Sequence, residues 1–222
     1  MARLAFIGHS SFELELDGTL ILFDPFFGQT IAGRPRALPP AREEADIKRC
    51  DLILVSHEHD DHCDKAAVEA IAQRTGAVVV GPKPALARLE LPERFKVDVR
   101  TGDKFEVKGV EIEVVKALHP QSAYPVGFVV RKGGKSVYHA GDTYEYREMA
   151  DIACDVAILP VGGSYTMDAL EAGKAIWGMR CGFVVPMHYD TFDWIAQPEL
   201  KSWAKGQKKR VIILRSGQTV EF

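Results

Sequence analysis

The sequence predicts an α/β fold in which two mixed β-sheets pack against each other and carry helices on their outer faces. Short β-type runs fill the first third and the middle of the chain, and helical patterns alternate with apolar strands in both halves. The composition, with 46% hydrophobic and 27% charged residues, is that of an ordinary globular protein. We expect a single domain over residues 1–222, because a chain of this length buries roughly 70–75% of its unfolded surface.

The first third of the chain is predicted to be rich in strands. Alternating or continuous apolar residues indicate strands over residues 4–7, 12–16 and 19–23, and Asp17-Gly18 between the last two is a strong hairpin signal. Residues 28–42 are rich in Gly, Pro and Arg and show no periodicity, which predicts a long loop. Loops of this length inside a compact domain are usually functional or disordered.

Strands and helices alternate along the rest of the chain. Residues 51–55 form a continuous apolar run, as expected for a strand in a sheet that is covered on both faces. Residues 63–75 carry apolar side chains at helical spacing. The other predicted strands are 78–80, 97–99, 104–107, 110–115, 126–131, 136–139, 156–159, 183–186 and 211–214, and the other predicted helices are 168–179 and 198–205.

Charge and hydropathy exclude several classes of partner. The net charge of −3 gives no basic field that would attract nucleic acid or an acidic membrane. The apolar runs are far shorter than the roughly 20 residues that span a bilayer, and the N-terminal run is too brief for a signal peptide. We therefore expect a cytoplasmic protein that acts on a small molecule, with no nucleic-acid or membrane partner. A homo-oligomer is compatible with the sequence.

The strongest chemical signal is the segment SHEHDDH at residues 56–62, directly after a buried strand and before a helix. His57 and His59 can face the same side of an extended segment and meet one metal ion, because side chains alternate with period two. Asp61 and His62 lie past the turn and can reach a second ion. The alternative is a polar surface turn, but a solvated turn has no need of four such ligands. Imidazole and carboxylate suit Zn²⁺, Fe²⁺ and Mn²⁺.

Further ligands for two metal ions must come from elsewhere in the chain. His119, Asp142 and His188 each lie just beyond the C-terminal end of a predicted strand. That edge is where open α/β sheets place their sites. These three side chains are therefore candidates to complete the site.

The order HxHxDH, His, Asp, His resembles that of the metallo-β-lactamase superfamily of metal-dependent hydrolases. The resemblance extends from residue 8 to residue 188, and its details are similar to the small hydrolase branch near the ascorbate-6-phosphate lactonase type. In that branch the Gly-Gly pair is often followed by His, where this chain has Ser164. The matching segments are GHSSF at 8–12, FDP at 23–25, YHAGDT at 138–143, GGSYTMD at 162–168 and MHY at 187–189.

The resemblance implies a four-layer αββα sandwich with two divalent metal ions at one edge, between the sheets. Zinc is the default metal, and manganese and iron(II) are its rivals. Asp142 would bridge the two ions with one carboxylate. The first ion would be held by His57, His59 and His119, and the second by Asp61, His62 and His188.

The implied activity is hydrolysis by a metal-activated water. Such sites cleave lactones, carboxylic esters, thioesters and phosphodiesters, and we expect a small ester, lactone or phosphoester here. Asp61 would orient the water or take its proton, and His9 or Tyr189 would donate to the leaving group. His9 could equally be a hydrogen-bonded structural histidine at a strand start. The arginines of the 28–42 loop, Arg34, Arg36 and Arg42, could bind an anionic substrate if the loop folds over the metals, although a surface loop is the simpler interpretation.

Two other functions stay open from the sequence. The first is a di-iron redox protein, although the relatives of that kind have Glu where this chain has His59 and carry an attached flavin domain. The second is a non-catalytic metal-binding module, although decayed members of the superfamily usually lose ligands. For residues near the site, we expect Asp24 to brace it or cap a turn, His139 to lie behind the ligands or in the core, and Asp168 to cap a helix.

Overall fold

The computed structural model describes residues 1–31, 33–192, 200–207 and 210–222. Within these residues it has two seven-stranded mixed sheets and a separate small hairpin. The strands are β1 Ala2–Gly8, β2 Ser11–Leu16, β3 Thr19–Phe23, β4 Thr30–Ile31, β5 Arg34–Pro35, β6 Leu52–Leu54, β7 Val78–Gly81, β8 Lys96–Asp98, β9 Lys104–Val107, β10 Val110–Lys116, β11 Val126–Lys132, β12 Lys135–His139, β13 Ala153–Pro160, β14 Arg180–Met187, β15 Arg210–Val211 and β16 Thr219–Glu221. The first sheet has the order β16-β1-β2-β3-β6-β7-β8, and the second has the order β15-β14-β13-β12-β11-β10-β9. The helices are α1 Lys65–Thr75, α2 Lys83–Leu86, α3 Ala169–Gly178 and α4 Leu200–Lys205.

The core forms because neighbouring residues of a strand point to opposite faces of the sheet. In β3, Ile21 and Phe23 pack in the large cluster between the two sheets, together with Phe128 of β11. The intervening Leu22 faces the other way and packs in a second cluster with residues of α1, including Ile71. On the far side, α3 contributes to the large cluster that contains the second sheet. The layers are those of the αββα sandwich, which confirms the predicted fold class.

Strand direction brings the candidate ligands to one edge of the sandwich. In the first sheet β1, β3 and β6 run the same way, because β1 and β3 are both antiparallel to β2 and β6 is parallel to β3. In the second sheet β10, β12 and β14 share one direction for the same reason. The residues that follow the C-terminal ends of these six strands are His9, Asp24, the segment 56–62, His119, Asp142 and His188.

The backbone also joins the two sheets at this edge. The His188 amide donates to the His9 carbonyl at 2.9 Å, and the Val126 amide donates to the Ser56 carbonyl at 3.0 Å. The first bond links the loop after β14 to the loop after β1, and the second links the start of β11 to the loop after β6, so each joins one sheet to the other. Backbone hydrogen bonds between the two sheets therefore help to fix the positions of the candidate ligands.

Most predicted elements are confirmed, and the differences have local causes. The loop 28–42 contains the short hairpin β4–β5, and α2 and β16 were not predicted, because four and three residues are too few to show a period. The predicted strand 211–214 is reduced to β15 at Arg210–Val211. Of the predicted helix 198–205, residues 198–199 lie outside the described residues, and α4 covers the rest. Among the described residues, no helix has the length and apolar character needed to span a bilayer.

Asp64 anchors the start of the long loop to the start of α1. One carboxylate oxygen accepts the Ala67 amide as the cap of the helix at 3.2 Å, and the other accepts the amides of Phe27 at 3.1 Å and Gly28 at 3.0 Å. Asp168, which begins α3 as predicted, accepts one amide among the described residues, that of Glu171 at 2.8 Å. The two aspartates therefore differ in how many amides depend on them.

We expect Asp64→Ala to lower the free energy of unfolding by about 2–3 kcal/mol, since it removes a helix cap and leaves two more amides without their acceptor. Asp168→Ala is the matched control and should lower it by about 1 kcal/mol. Urea denaturation measures both values. Equal losses in the two variants would contradict a loop anchor at Asp64.

Candidate metal centre

The first group of candidate ligands consists of His57, His59 and His119, which the structure brings together as predicted. The Nε2 of His57 lies 3.0 Å from the Nδ1 of His59, and the Nε2 of His119 lies 3.3 Å from the same Nδ1. Three ring nitrogens therefore converge on one point. His57 and His119 are buried, and His59 is half-buried at the floor of a cavity.

The outward-facing nitrogens of this first group fix its tautomers. The Nδ1 of His119 lies 3.0 Å from the carbonyl of Tyr165, and the Nε2 of His59 lies 3.2 Å from the carbonyl of Gln121. A carbonyl can only accept, so these two nitrogens carry the hydrogens. The inner nitrogens then keep free lone pairs, which is the state that a metal requires.

The second group consists of Asp61, His62 and His188, with His9 beside them. The Oδ2 of Asp61 lies 3.8 Å from the Nε2 of His188 and 4.0 Å from the Nε2 of His62. His9 approaches the same oxygen, with its Nε2 at 3.1 Å. All four residues are buried.

Asp142 lies between the two groups. This is the position of the bridging carboxylate that the family resemblance implies. One of its oxygens is 3.3 Å from the Nε2 of His62, and the other is 3.3 Å from the Nε2 of His188. Its carboxylate also lies within 4.8 Å of a ring nitrogen of His57, in the first group. All seven predicted ligands are therefore at one place.

The residues present fit a pair of metal ions. Among the described residues, seven buried side-chain nitrogen or oxygen atoms lack a hydrogen-bond partner, and five of them are here. Buried polar atoms are normally paired, so a cluster of unpaired ones needs a ligand. The five atoms are Nδ1 of His9, Nε2 of His62, Oδ1 of Asp142 and both ring nitrogens of His188.

Asp24 braces the site, as predicted. Its Oδ2 accepts from the Nδ1 of His62 at 2.7 Å and from the Ser56 hydroxyl at 2.6 Å, and its Oδ1 accepts from the Ser56 amide at 2.7 Å. Because the Ser56 hydroxyl donates to Asp24, its oxygen accepts from the Nδ1 of His57, which lies 2.9 Å away. Asp24 thereby orients one histidine of each group.

His139 lies behind the ligands and within the core, also as expected. Its Nε2 donates to the Ser10 carbonyl at 3.0 Å, and its Nδ1 accepts from the Gly141 amide at 3.2 Å. Its ring stacks on that of Phe23, with centroids 4.9 Å apart. Burial lowers the pKa of His139, so it stays neutral in this position.

Protonation differs sharply between the ligands. Burial lowers the pKa of His57 well below its usual range and that of His9 to about 3. Burial also opposes the charged form of His62, but the carboxylates of Asp142 and Asp61 outweigh it and raise the pKa of His62 well above its usual range. Without a cation, a proton on His62 therefore balances the buried carboxylates.

The backbone at the site is held in unusual conformations. His9, Asp24 and His188 have φ values of 59°, 41° and 61°, in the left-handed region that residues other than glycine rarely adopt. A Cβ added at Gly162 would lie 2.3 Å from the His188 carbonyl oxygen, so a glycine is needed there. Such strain persists where the surrounding structure enforces it, and it is common at functional sites.

A cavity of about 1100 Å³ opens over both groups. Of the three loop arginines, only Arg34 lines it: Arg36 donates to backbone carbonyls, including that of Phe26, and Arg42 pairs with Glu13. Arg36 and Arg42 therefore contact other parts of the protein and do not line this cavity, as the simpler interpretation of a surface loop allows.

Tyr189 does not face the ligands, so the suggestion that it donates to a leaving group is wrong. Its buried hydroxyl donates to the Leu214 carbonyl. Sequence reasoning missed several residues of the cavity wall, among them Arg88, Tyr144 and Tyr165. Of these three, only Tyr165 could have been found from the sequence, because it lies inside the family-matching segment GGSYTMD.

The fold and the converging ligands agree with the comparisons with known proteins. Residues 3–188 match the family model described as the beta-lactamase superfamily domain. The chain therefore belongs to the metallo-β-lactamase superfamily.

Its relatives extend this assignment to the whole chain. A UPF0173 metal-dependent hydrolase of Pyrococcus furiosus is 38% identical over 237 residues, and one of Pyrococcus horikoshii is 39% identical over 238 residues; both matches cover 100% of this chain and of the relative. Among solved structures, Igni18, a metallo hydrolase of Ignicoccus hospitalis, is 30% identical with a TM-score of 0.82, over 100% of this chain and 99% of that one.

Metal binding should release a proton, because His62 is protonated in the metal-free protein and must lose its proton to become a ligand. With a raised pKa, this proton remains bound at pH 7, so the affinity for Zn²⁺ should rise with pH, by up to about tenfold per unit. Calorimetric titrations in two buffers of different ionisation enthalpy measure the proton count. A binding enthalpy that does not depend on the buffer would contradict this protonation state.

Proposed function

We propose that this protein hydrolyses a small ester, lactone or phosphoester with a water activated by two divalent metal ions. Metal-dependent hydrolysis is the activity class of its superfamily and of its curated relatives. One observation above all supports the proposal of two metal ions and an activated water. Seven ligand side chains from four separate loops converge in two groups, with a carboxylate between them.

Imidazole and carboxylate donors favour zinc, with manganese and iron(II) as alternatives. When bound, such a pair of cations supplies Lewis acidity, which lowers the pKa of a water from about 15.7 toward about 7. A thiolate ligand is not expected from Cys63. Burial raises the pKa of its thiol to about 12, and it packs in the apolar cluster beneath α1.

Asp61 is proposed to orient the attacking water. Its carboxylate stays ionised, because His62 and His9 outweigh the burial that would raise its pKa. It therefore accepts hydrogen bonds throughout the neutral range. Asp61 also lines the cavity, where a substrate would meet the water.

His9 is proposed to hold Asp61 in place. With its pKa lowered to about 3 by burial, His9 is neutral, so its Nε2 donates a hydrogen to the Asp61 carboxylate. Its ring lies 4.0 Å from that of His188, centroid to centroid. His9 also reaches the cavity wall, so a contact with the leaving group remains part of the proposal.

The cavity supports an anionic substrate of modest size. Arg34, on the exposed hairpin β4–β5, brings a guanidinium to the wall above the ligands. A guanidinium binds carboxylate or phosphate through paired hydrogen bonds. Tyr165 and Phe192 add aromatic surface to the same wall.

The described site residues argue against the two alternative functions. His59 contributes an imidazole nitrogen to the first group, where the redox relatives have Glu. The full set of candidate ligands is also present, whereas decayed members of the superfamily usually lose ligands. Hydrolysis therefore has the best support.

We expect Asp61→Asn and His59→Ala each to reduce metal-dependent turnover at least about 100-fold. Asp61 is proposed to hold the second ion and to orient the water, and His59 is proposed to hold the first ion. The measurement is a panel of model esters, lactones and phosphoesters with protein reloaded with Zn²⁺ or Mn²⁺. Asp103→Asn, at an exposed turn away from the cluster, is the control. Undiminished activity in both site variants would refute the mechanism.

Arg34→Gln should raise the KM for an anionic phosphoester about tenfold, since it removes one charge-assisted contact. The kcat and the KM for a neutral ester of similar size should change little. Steady-state kinetics on the two substrates measures the contrast. A parallel change in KM for both substrates would show that Arg34 does not select for charge.

A further inference from the structure

The geometry points to Glu58 as a positioning residue of the first ligand group. Its carboxylate fastens the loop that carries His119 to the segment that carries His57 and His59. The inference rests on the proposed function only in that it takes this group to bind a metal ion. Glu58 itself is not one of the predicted ligands.

The loop that carries His119, residues 117–125 between β10 and β11, has little packing of its own. Of its nine residues, all of them described, only His119 is buried, and the others are exposed or half-exposed. Leu118 and Tyr124 expose more than a third of their surface. A loop with so few buried apolar contacts needs polar contacts to hold one conformation.

Hydrogen bonds to the loop after β12 hold the start of this loop at Leu118, and Glu58 holds its middle. One carboxylate oxygen accepts from the Ser122 hydroxyl at 2.8 Å, and the other accepts from the Ala123 amide at 2.7 Å. Both bonds have a charged acceptor, which makes them stronger than neutral ones. They also use both oxygens at once, so they fix the loop in position and in orientation.

The segment that carries Glu58 is itself held in place by Arg88. Arg88 donates to the backbone carbonyl of Glu58 and pairs with the neighbouring Asp60. Arg88 therefore holds the segment 57–62 from outside the ligand cluster. The hydrogen bonds of Glu58 then hold the His119 loop against this segment. His59 adds a parallel link through its Nε2 and the Gln121 carbonyl.

The consequence is specific to one group of ligands. His119 lies three residues before Ser122, in the loop that Glu58 holds. The Nε2 of His119 lies 3.3 Å from the Nδ1 of His59. Asp61, His62 and His188 stand on other loops. Loss of the Glu58 contacts should therefore weaken the first metal site and leave the second nearly unchanged.

The test is a Zn²⁺ titration of the metal-free protein, with no substrate present. The first-group step is identified as the one that His119→Ala abolishes. Glu58→Ala should weaken that step about 10- to 100-fold, the usual effect of losing a group that supports a metal ligand. Glu58→Gln should stay within about threefold of the unmodified protein, because the amide can accept from Ala123 and donate to Ser122.

Glu145→Ala is the matched control, since it removes an exposed carboxylate next to the cavity residue Tyr144 but takes no part in the contacts that Glu58 makes. Equal weakening in Glu58→Ala, Glu58→Gln and Glu145→Ala would overturn the inference and show that only charge matters. Equal weakening of both metal steps in Glu58→Ala would also overturn it. If Glu58→Ala does not fold, Ser122→Ala carries the test with a selective loss of about threefold, and no loss would count against the inference. Because no turnover is measured, these results stand even if the proposed reaction is wrong.

Discussion

One buried carboxylate, that of Asp24, organises the ligand cluster. It is fully buried, and it accepts hydrogen bonds from the amide and hydroxyl of Ser56 and from the ring of His62. Through the Ser56 hydroxyl it also sets the orientation of His57. A ligand of each group therefore depends on a single side chain that stands at the end of β3 in the first sheet.

This arrangement explains how so many polar groups can share the interior. A buried charge is strongly destabilising unless it is paired and hydrogen-bonded. Here a protonated His62 balances nearby carboxylates when no cation is present, and cations would take over that role when bound. The remaining unpaired atoms and the left-handed backbone of His9 and His188 show that the protein tolerates local strain at this edge.

Much of this could be predicted from the sequence because the chemistry lies next to clear strand patterns. His57, His59, Asp61 and His62 share one segment after an apolar strand, so their proximity follows from the backbone alone. The family resemblance supplied the assignment of His119, Asp142 and His188 to particular groups. The structure places them there because the six strands that end at this edge run in one direction.

Other features depended on contacts that no local pattern records. Arg34, Arg36 and Arg42 carry the same charge, but only Arg34 is part of the cavity wall that the structure describes; Arg36 contacts the Phe26 carbonyl and Arg42 pairs with Glu13. The hydroxyl of Tyr189 is turned toward Leu214 although the residue follows His188 directly. The two bonds from Glu58 to residues more than 60 positions away also appear only once the loops are placed in space.

The most direct test of the account is a crystal structure of the zinc-loaded protein with anomalous scattering recorded at the zinc edge. The account predicts two peaks, one among the rings of His57, His59 and His119 and the other among Asp61, His62 and His188, with Asp142 between them. A single peak, or none at this edge of the sandwich, would contradict the claim that these seven side chains hold a pair of metal ions.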